Sequence, residues 1–220
     1  MNSRKWTKVA LALSVCLFII WWALGTGATL AWFSDTDTVR NEFQVGLLRL
    51  DVDYRNDIVE TYEDLQNASK AFNDAALYEP GYTQVVYLRI DNVGDMPFNY
   101  KVAVTVNKSE PGRNAWGKPI YLENYLRYGV VFGKTEAEVQ QQVKDRLTAK
   151  NFASKDWGAL DTWSEDSPYI FQPNEEYHYA ALIVCMPEEV GNVANYRGID
   201  VPQLKLGIKV SAKQVDAPIN

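Results

Sequence analysis

Apolar and polar residues alternate along much of the chain, which is the pattern of β-strands with one buried face. The clearest alternation predicts a strand over 98–107. Similar patterns predict further strands over 43–53, 84–92, 177–185 and 204–212. In the first of these the parity changes beside Gly46, as it does at a β-bulge or at a crossing between sheets. Five strands with local turns predict an antiparallel β-sandwich.

One segment has helical periodicity instead. Thr135 and Glu138 have the spacing of a capping box, and apolar residues follow at four-residue intervals as far as Leu147. This pattern predicts a helix over 135–147. The polar, acidic stretch 54–76 is predicted to be an insertion with some helix.

The first 31 residues have the order of a secretory signal peptide: basic residues, an apolar run and then small side chains. Thr29 and Ala31 fit the −3 and −1 positions of a cleavage that makes Trp32 the new N-terminus. Two alternatives stay open, a cut after Ala28 and an uncleaved segment that anchors the chain in the membrane. All three imply export, with one domain over 32–220.

The net charge of the chain limits which classes of binding partner are expected. The first 31 residues carry three of the 22 basic residues and no acid, so the remainder has 19 bases against 28 acids and a net charge of −9. A body this acidic repels phosphate backbones, so no nucleic-acid partner is expected. The lysines of the last predicted strand, Lys205, Lys209 and Lys213, are interpreted as solvated residues that discourage unwanted strand pairing.

Little in the sequence indicates catalysis, a metal or a cofactor. The chain has a single histidine, His178, interpreted as a half-exposed sheet residue, whereas zinc proteases usually need a histidine pair. Cys185 ends an apolar strand pattern and is expected to be a small buried hydrophobe. Two acidic pairs could hold calcium, although solvated acids are far commoner: Asp35 with Asp37, and Asp51 with Asp53. We therefore expect no catalytic residue, no metal and no cofactor.

Several short motifs occur in an order that resembles one known family. The segment 29–35 has the Ala, aromatic pair and Ser-Asp of a processing junction, and 41–50 fits Asn-x-Phe-x-x-Gly-x-Leu-x-Leu. A Pro-Gly turn at 79–81, an Asn-x-Gly turn at 91–94 and a closing pattern over 195–214 follow. Together these blocks resemble the TasA/camelysin family of exported Gram-positive proteins. The stretches 54–78 and 148–167 match nothing in that pattern.

The resemblance implies a mainly-β fold, a jelly-roll-like sandwich with helical insertions, and cleavage of the leader by an ER-type signal peptidase. It also implies a secreted structural protein of a biofilm matrix or cell surface. An accessory matrix protein is a further partner that the resemblance implies, and contact with the membrane is expected only through an uncleaved leader. The resemblance further implies head-to-tail assembly, in which the processed N-terminal segment is donated as a strand to the next copy. The corresponding donor strand here is 32–43, with four apolar residues: Trp32, Phe33, Val39 and Phe43.

Three alternatives remain at this stage. Segment 32–43 could fold back as the first strand of its own sandwich. The protein could be a monomeric adhesion module that recognises a polymer through loop tryptophans, Trp116, Trp157 and Trp163. A camelysin-like metalloprotease is the third, and a chain with one histidine gives it little support.

Overall fold

The computed structural model describes residues 48–67, 71–73, 78–152, 154–196 and 200–215, which all belong to a compact unit beginning at Asp35. Within those ranges the strands are β1 (Leu50–Arg55), β2 (Glu63–Asp64), β3 (Thr83–Asn92), β4 (Phe98–Glu110), β5 (Gly112–Arg113), β6 (Pro119–Ile120), β7 (Arg127–Gly133), β8 (Glu165–Asp166), β9 (His178–Cys185) and β10 (Gln203–Gln214). The helices are α1 (Glu136–Ala149) and 3₁₀ turns at Leu65–Asn67, Leu122–Asn124 and Glu188–Ala194.

The strands form two main antiparallel sheets. One has five strands in the order β2-β1-β3-β9-β7, and the other has three in the order β10-β4-β8. Strands β5 and β6 form a separate small hairpin. The predicted mainly-β antiparallel sandwich with helical insertions is therefore confirmed, while its jelly-roll topology stays a prediction.

The main core lies between the two sheets and is built from alternate residues of each strand. On β3, Leu88 and Ile90 are fully buried, and on β4 Phe98 and Val102 are fully buried. These residues lie on the strand faces that the alternating pattern predicted to be buried. Side chains at every second position point to the same side of a strand. Burying a side chain of this kind contributes about 1.5–3 kcal/mol, so the alternation supplies much of the stability.

Helix α1 packs on the outer face of the five-stranded sheet and forms a second, smaller core. Val139 and Val143 are buried there with Trp157 and with outward side chains of β7 and β9. The predicted capping box is present: Glu138 N–H donates to Thr135 Oγ1 at 3.3 Å, and Thr135 N–H donates to a Glu138 carboxylate oxygen at 3.3 Å. The helix runs two residues further than predicted and ends at Ala149.

Two regions differ from the sequence prediction. Strand β7 was not predicted, because its residues are buried on both faces and the run has no alternation to detect. In the described residues of the insertion 54–76, the structure has the end of β1, the short strand β2 and one helical segment, the 3₁₀ turn Leu65–Asn67. Among the residues that the structure describes, no helix has the length and apolar character needed to cross a bilayer.

Candidate functional site

The outer edge of β10 is the longest open strand edge in the described part of the chain. Strand β10 pairs with β4 along its whole length, from Gln203 to Gln214, and in the described residues no strand pairs with its other side. Alternate N–H and C=O groups of an edge strand point away from the sheet and are free to pair with another strand. Twelve residues at about 3.4 Å each give an edge of about 40 Å.

The opposite edge of the sandwich, at β7, is protected. Side chains of α1 donate hydrogen bonds to carbonyl oxygens of β7, Gln142 at 2.7 Å and Arg146 at 2.9 Å. Tyr128 and Gly158 also exchange backbone hydrogen bonds, at 3.0 and 2.9 Å, which adds a bridge beyond the strand. Such cover blocks a further strand, so β7 does not offer the edge that β10 does.

The inner face of β10 is less well covered toward its C-terminal end. Leu204, Leu206 and Ile208 are buried against the main core. Val210 and Ala212 point to the same side but are only half-buried. An added strand with apolar side chains would remove this remaining apolar surface from water, which is favourable in proportion to the area covered.

The residues predicted to donate that strand lie outside the described residues. This applies to the whole predicted leader 1–31 and to the cleavage and donor residues Thr29, Ala31, Trp32, Phe33, Val39 and Phe43. It also applies to the acidic pair Asp35 and Asp37. These assignments therefore stay predictions.

His178 is not half-exposed as predicted, because only 1% of it is accessible to solvent. Its ring stacks on Phe171 with centroids 4.0 Å apart, and its Nδ1 atom lies 3.3 Å from the Tyr100 hydroxyl. The reason is the parity of β9, which places His178 on the same inward face as Ala180 and Leu182. The alternation along β9 is visible in the sequence. The prediction of a half-exposed side chain was wrong because it gave more weight to the polarity of histidine than to this alternation.

A short chain of polar groups leads from His178 to the surface. His178 Nε2 lies 3.4 Å from Glu175 Oε1, and Lys134 Nζ donates to Glu175 at 2.7 Å. Burial alone would raise the pKa of Glu175, but hydrogen bonds from Lys134, the backbone N–H of Gln172 and His178 outweigh it and lower the pKa to about 2. Burial lowers the pKa of His178, and the neighbouring Glu175 offsets part of that effect.

Asp51 and Asp53, the second acidic pair considered as an alternative calcium site, make other contacts in the structure. Asp53 accepts a hydrogen bond from Arg89 at 2.6 Å, which makes an ion pair across β1 and β3. Asp51 lies directly opposite Asp91 in the same ladder. Within the described ranges, no group of three or more histidine, cysteine or carboxylate side chains is arranged to hold a metal ion.

Sequence analysis missed an arginine and tyrosine cluster on the outer face of β1 and β3. The Arg55 guanidinium lies 4.4 Å from the ring centroid of Tyr87, and that of Arg89 lies 4.6 Å from Tyr177. Both arginines also contact Tyr62, at 5.5 and 4.9 Å. The outward alternation of β1 was a usable signal for Arg55, and the strand predicted over 177–185 contained Tyr177. Tyr62, however, lies in a segment that the pattern does not place.

A polar groove of about 560 Å³ opens next to this cluster, at the N-terminus of α1. We call it the acidic groove, and its lining residues are Asp91, Lys134, Thr135, Glu136, Glu175, Glu176, Tyr177 and Tyr179. The sequence could not reveal it, because these residues come from three separate segments that only the fold brings together.

The predicted loop tryptophans are mostly structural. Trp157 is buried in the second core against Phe152, with ring centroids 4.9 Å apart. Trp163 packs edge-on against Tyr128 at 4.8 Å. Trp116 is 61% exposed and is the one of the three that is open to a ligand. Cys185 is buried, as predicted, and burial raises the pKa of its thiol to about 12.

Comparison with known proteins does not identify a family for this chain: no protein-family model matches it, and neither does any curated protein.

Proposed function

We propose that the chain is a secreted structural protein whose copies assemble into extracellular matrix fibres by donor-strand addition. Segment 32–43 of one copy pairs with the outer edge of β10 in the next. The observation that supports this is the open edge of β10, which is long enough for the whole twelve-residue segment. The motif resemblance to the TasA/camelysin family supplies the identity of the donor.

Several weak contributions must combine to hold an added strand on the β10 edge. Burying an aromatic side chain contributes about 1.5–3 kcal/mol, whereas ordering backbone opposes it by about 1–2 kcal/mol per residue. Trp32 and Phe33 alone are therefore too few to hold the segment. A ladder of backbone hydrogen bonds and contacts to the half-buried Val210 and Ala212 must contribute as well.

Head-to-tail addition also explains why the product would be a fibre. The donor segment and the β10 edge are different surfaces, so each copy offers one of each to its neighbours. Such a heterologous contact propagates without limit unless its rotation closes a ring.

Negative-stain electron microscopy of the purified secreted chain tests the proposal. We expect filaments from the intact chain and soluble, folded monomers after deletion of 32–43, with folding checked by circular dichroism. Replacing Trp32, Phe33, Val39 and Phe43 with serine should have the same effect as the deletion. Replacing Asp35 and Asp37 with asparagine is the matched control and should leave filaments intact. Filaments that form without 32–43 would contradict the proposal.

A monomeric adhesion module is the second candidate, and the exposure of Trp116 favours it. An exposed tryptophan on a hairpin loop can stack on a sugar ring or another flat apolar group. Under this alternative the secreted chain stays monomeric, and Trp116→Ala abolishes its binding to a matrix polysaccharide. The protease alternative has less support, because the single histidine is stacked in the core.

A further inference from the structure

The acidic groove contains two carboxylates that are paired with cations of the same chain. Glu136 forms an ion pair with Arg55, and Glu175 forms one with Lys134 at 2.7 Å. Arg55 and Lys134 are therefore already paired. The next arginine along the sheet, Arg89, is also paired, with Asp53 at 2.6 Å.

The two remaining carboxylates of the groove, Asp91 and Glu176, form no ion pair within the described residues. Asp91 also has Asp51 directly opposite it in the sheet. Like charges placed opposite each other destabilise a sheet. Burial, followed by repulsion from Asp51, raises the pKa of Asp91. The groove therefore has an unbalanced negative charge.

One further feature of the groove favours a positively charged guest. Tyr177 is 40% exposed and lines the groove together with Tyr179, and the face of a tyrosine ring attracts ammonium groups. The Arg89 guanidinium, 4.6 Å from the Tyr177 ring centroid, already makes a contact of this kind within the chain.

The outer face of the three-stranded sheet has the opposite charge. Lys101 of β4 and Lys213 of β10 are both exposed and are diagonal neighbours, since Lys101 lies opposite Ser211 in the ladder. We call the surface around these two lysines, Lys101 and Lys213, the lysine face. Asp166 of β8 lies opposite Lys101, and Glu110 at the far end of β4 is paired with Lys108 at 2.8 Å. The lysine face is thus a basic surface on an acidic protein.

We propose that the acidic groove of one copy receives lysine side chains from the lysine face of a second copy. The contact rests on the proposed self-assembly and deepens it, because it uses the broad faces of the two sheets and leaves the β10 edge open for the donor strand. It would therefore join filaments side by side.

A lysine side chain fits the groove better than the other cationic groups the matrix could supply. The groove offers a pair of unbalanced carboxylates and a ring face rather than a closed set of oxygen ligands, which suits an ammonium and not a metal ion. Both complementary surfaces occur on the same chain, so a second copy brings the required charge. An exposed ion pair is worth only about 0–1 kcal/mol, so many copies along a filament must act together.

Charge reversal in the purified secreted chain tests this contact. Two double variants reverse the two surfaces: Asp91→Lys with Glu176→Lys, and Lys101→Glu with Lys213→Glu. Lys118→Glu with Lys144→Glu is the matched control for the lysine-face variant, because it makes the same charge change at exposed positions elsewhere. Lateral association is read from bundle width in electron micrographs and from sedimentation, and melting temperature verifies folding.

We expect bundles of filaments at low salt that separate into single filaments at about 1 M salt, where the Debye length is about 3 Å. Each reversed variant should associate about tenfold more weakly, as expected for the loss and reversal of two surface pairs. Mixing the two reversed variants should restore association, and the control should bundle normally. If mixing does not restore association, the contact is wrong even when single filaments still form.

The same measurement separates this contact from the proposed function. If the chain forms no filaments at all, strand donation fails, and the reversed variants are compared as monomers at high concentration by sedimentation. Salt-sensitive association restored by mixing would then still support the contact, and its absence would overturn it. If the groove variant instead loses binding to oligomers of glucosamine while self-association is unchanged, the guest is an amino sugar and the proposal is overturned.

Discussion

His178 contacts both the packed core of the sandwich and a charged residue of the acidic groove. It is stacked on Phe171 and contacts Tyr100 inside the sandwich, while its Nε2 atom faces Glu175 at the surface. Burial raises the pKa of the Tyr100 hydroxyl, which therefore stays protonated and can donate to Nδ1. The histidine is thus held as a neutral ring, and its protonation state is linked to folding.

We predict that the protein loses stability as the pH falls below about 6.5, the usual pKa of histidine. Because burial lowers the pKa of folded His178, the unfolded chain binds more protons than the folded chain between the two pKa values, so the free energy of unfolding declines with falling pH in that window. Thermal unfolding between pH 7.5 and pH 6 measures the slope. Since the chain has one histidine, His178→Gln should flatten this slope even though it lowers stability overall. An unchanged slope in the variant would contradict the assignment.

Cys185 is predicted to be unreactive in the folded protein. Its thiol is buried and its pKa is about 12, so very little thiolate exists at neutral pH, and thiolate is the reactive form. A colourimetric thiol reagent should label native mature protein far more slowly than protein in guanidinium. Ser211→Cys, at a half-exposed position on β10, is the comparison and should add one rapidly reacting thiol. Rapid labelling of native Cys185 would show that β9 is not packed as described.

At the scale of elements, α1 has two roles that depend on its position over β7 and β9. Its apolar residues Val139 and Val143 close the second core, and its polar residues Gln142 and Arg146 bind carbonyl oxygens of β7. Gly133 permits the close approach, since a Cβ there would lie 2.9 Å from Val139 Cγ2. A change that destabilises α1 should therefore lower the free energy of unfolding of the whole sandwich.

Thr135→Ala should destabilise the protein by about 1 kcal/mol, the usual effect of removing a helix N-cap. The substitution removes the oxygen that accepts from Glu138 N–H and leaves that donor without its capping partner. Chemical unfolding in guanidinium measures the change. Thr148→Ala in the last turn of the same helix is the control, and surface changes of that kind stay within about 0.5 kcal/mol. Equal effects at both positions would mean that the cap has no special role.

Most of the elements that the sequence predicted well have one face exposed to solvent. Strands β3, β4 and β10 were predicted because burial on one side leaves a two-residue period in the pattern, and the cap of α1 was predicted from its capping box. Strand β9 was also predicted, from the apolar run that ends at Cys185, although it is buried on both faces. Strand β7 is buried on both sides and leaves no such period. The open edge of β10 was not predictable either, since which strands pair is decided by tertiary packing rather than by local pattern.

The candidate site shows the same limit. Asp51, Asp53 and Arg55 alternate on β1, and their shared outward face could be predicted from the sequence. The partners that determine their chemistry, Arg89 and Glu136, are far away in the chain. Residue types alone therefore left calcium open as an alternative for Asp51 and Asp53, whereas the fold pairs Asp53 with Arg89.

At the scale of the whole molecule, cleavage of the leader should control assembly. While the leader is attached, Trp32 continues an apolar segment and cannot pair with a neighbour from a free end. Ala31→Leu places a large side chain at the −1 position and should block processing. We expect uncleaved protein by N-terminal sequencing and no filaments by electron microscopy. Normal filaments made of uncleaved chains would contradict this order of events.

Disulfide trapping tests strand donation most directly. One tagged variant carries a single new cysteine in the donor segment, Thr36→Cys or Asp37→Cys, so that both faces of the strand are sampled. A second, differently tagged variant carries Ser211→Cys or Lys213→Cys on β10. Side chains directly opposite on paired strands are close enough for a disulfide, and buried Cys185 does not interfere.

The account predicts that mild oxidation of mixed filaments joins the two tags in one covalent dimer for at least one combination. Oxidation of a chain that carries both cysteines should likewise give cross-linked multimers. A disulfide that forms only within single chains, with no dimer in any mixture, would show that segment 32–43 pairs with its own β10, and the fibre mechanism would be wrong.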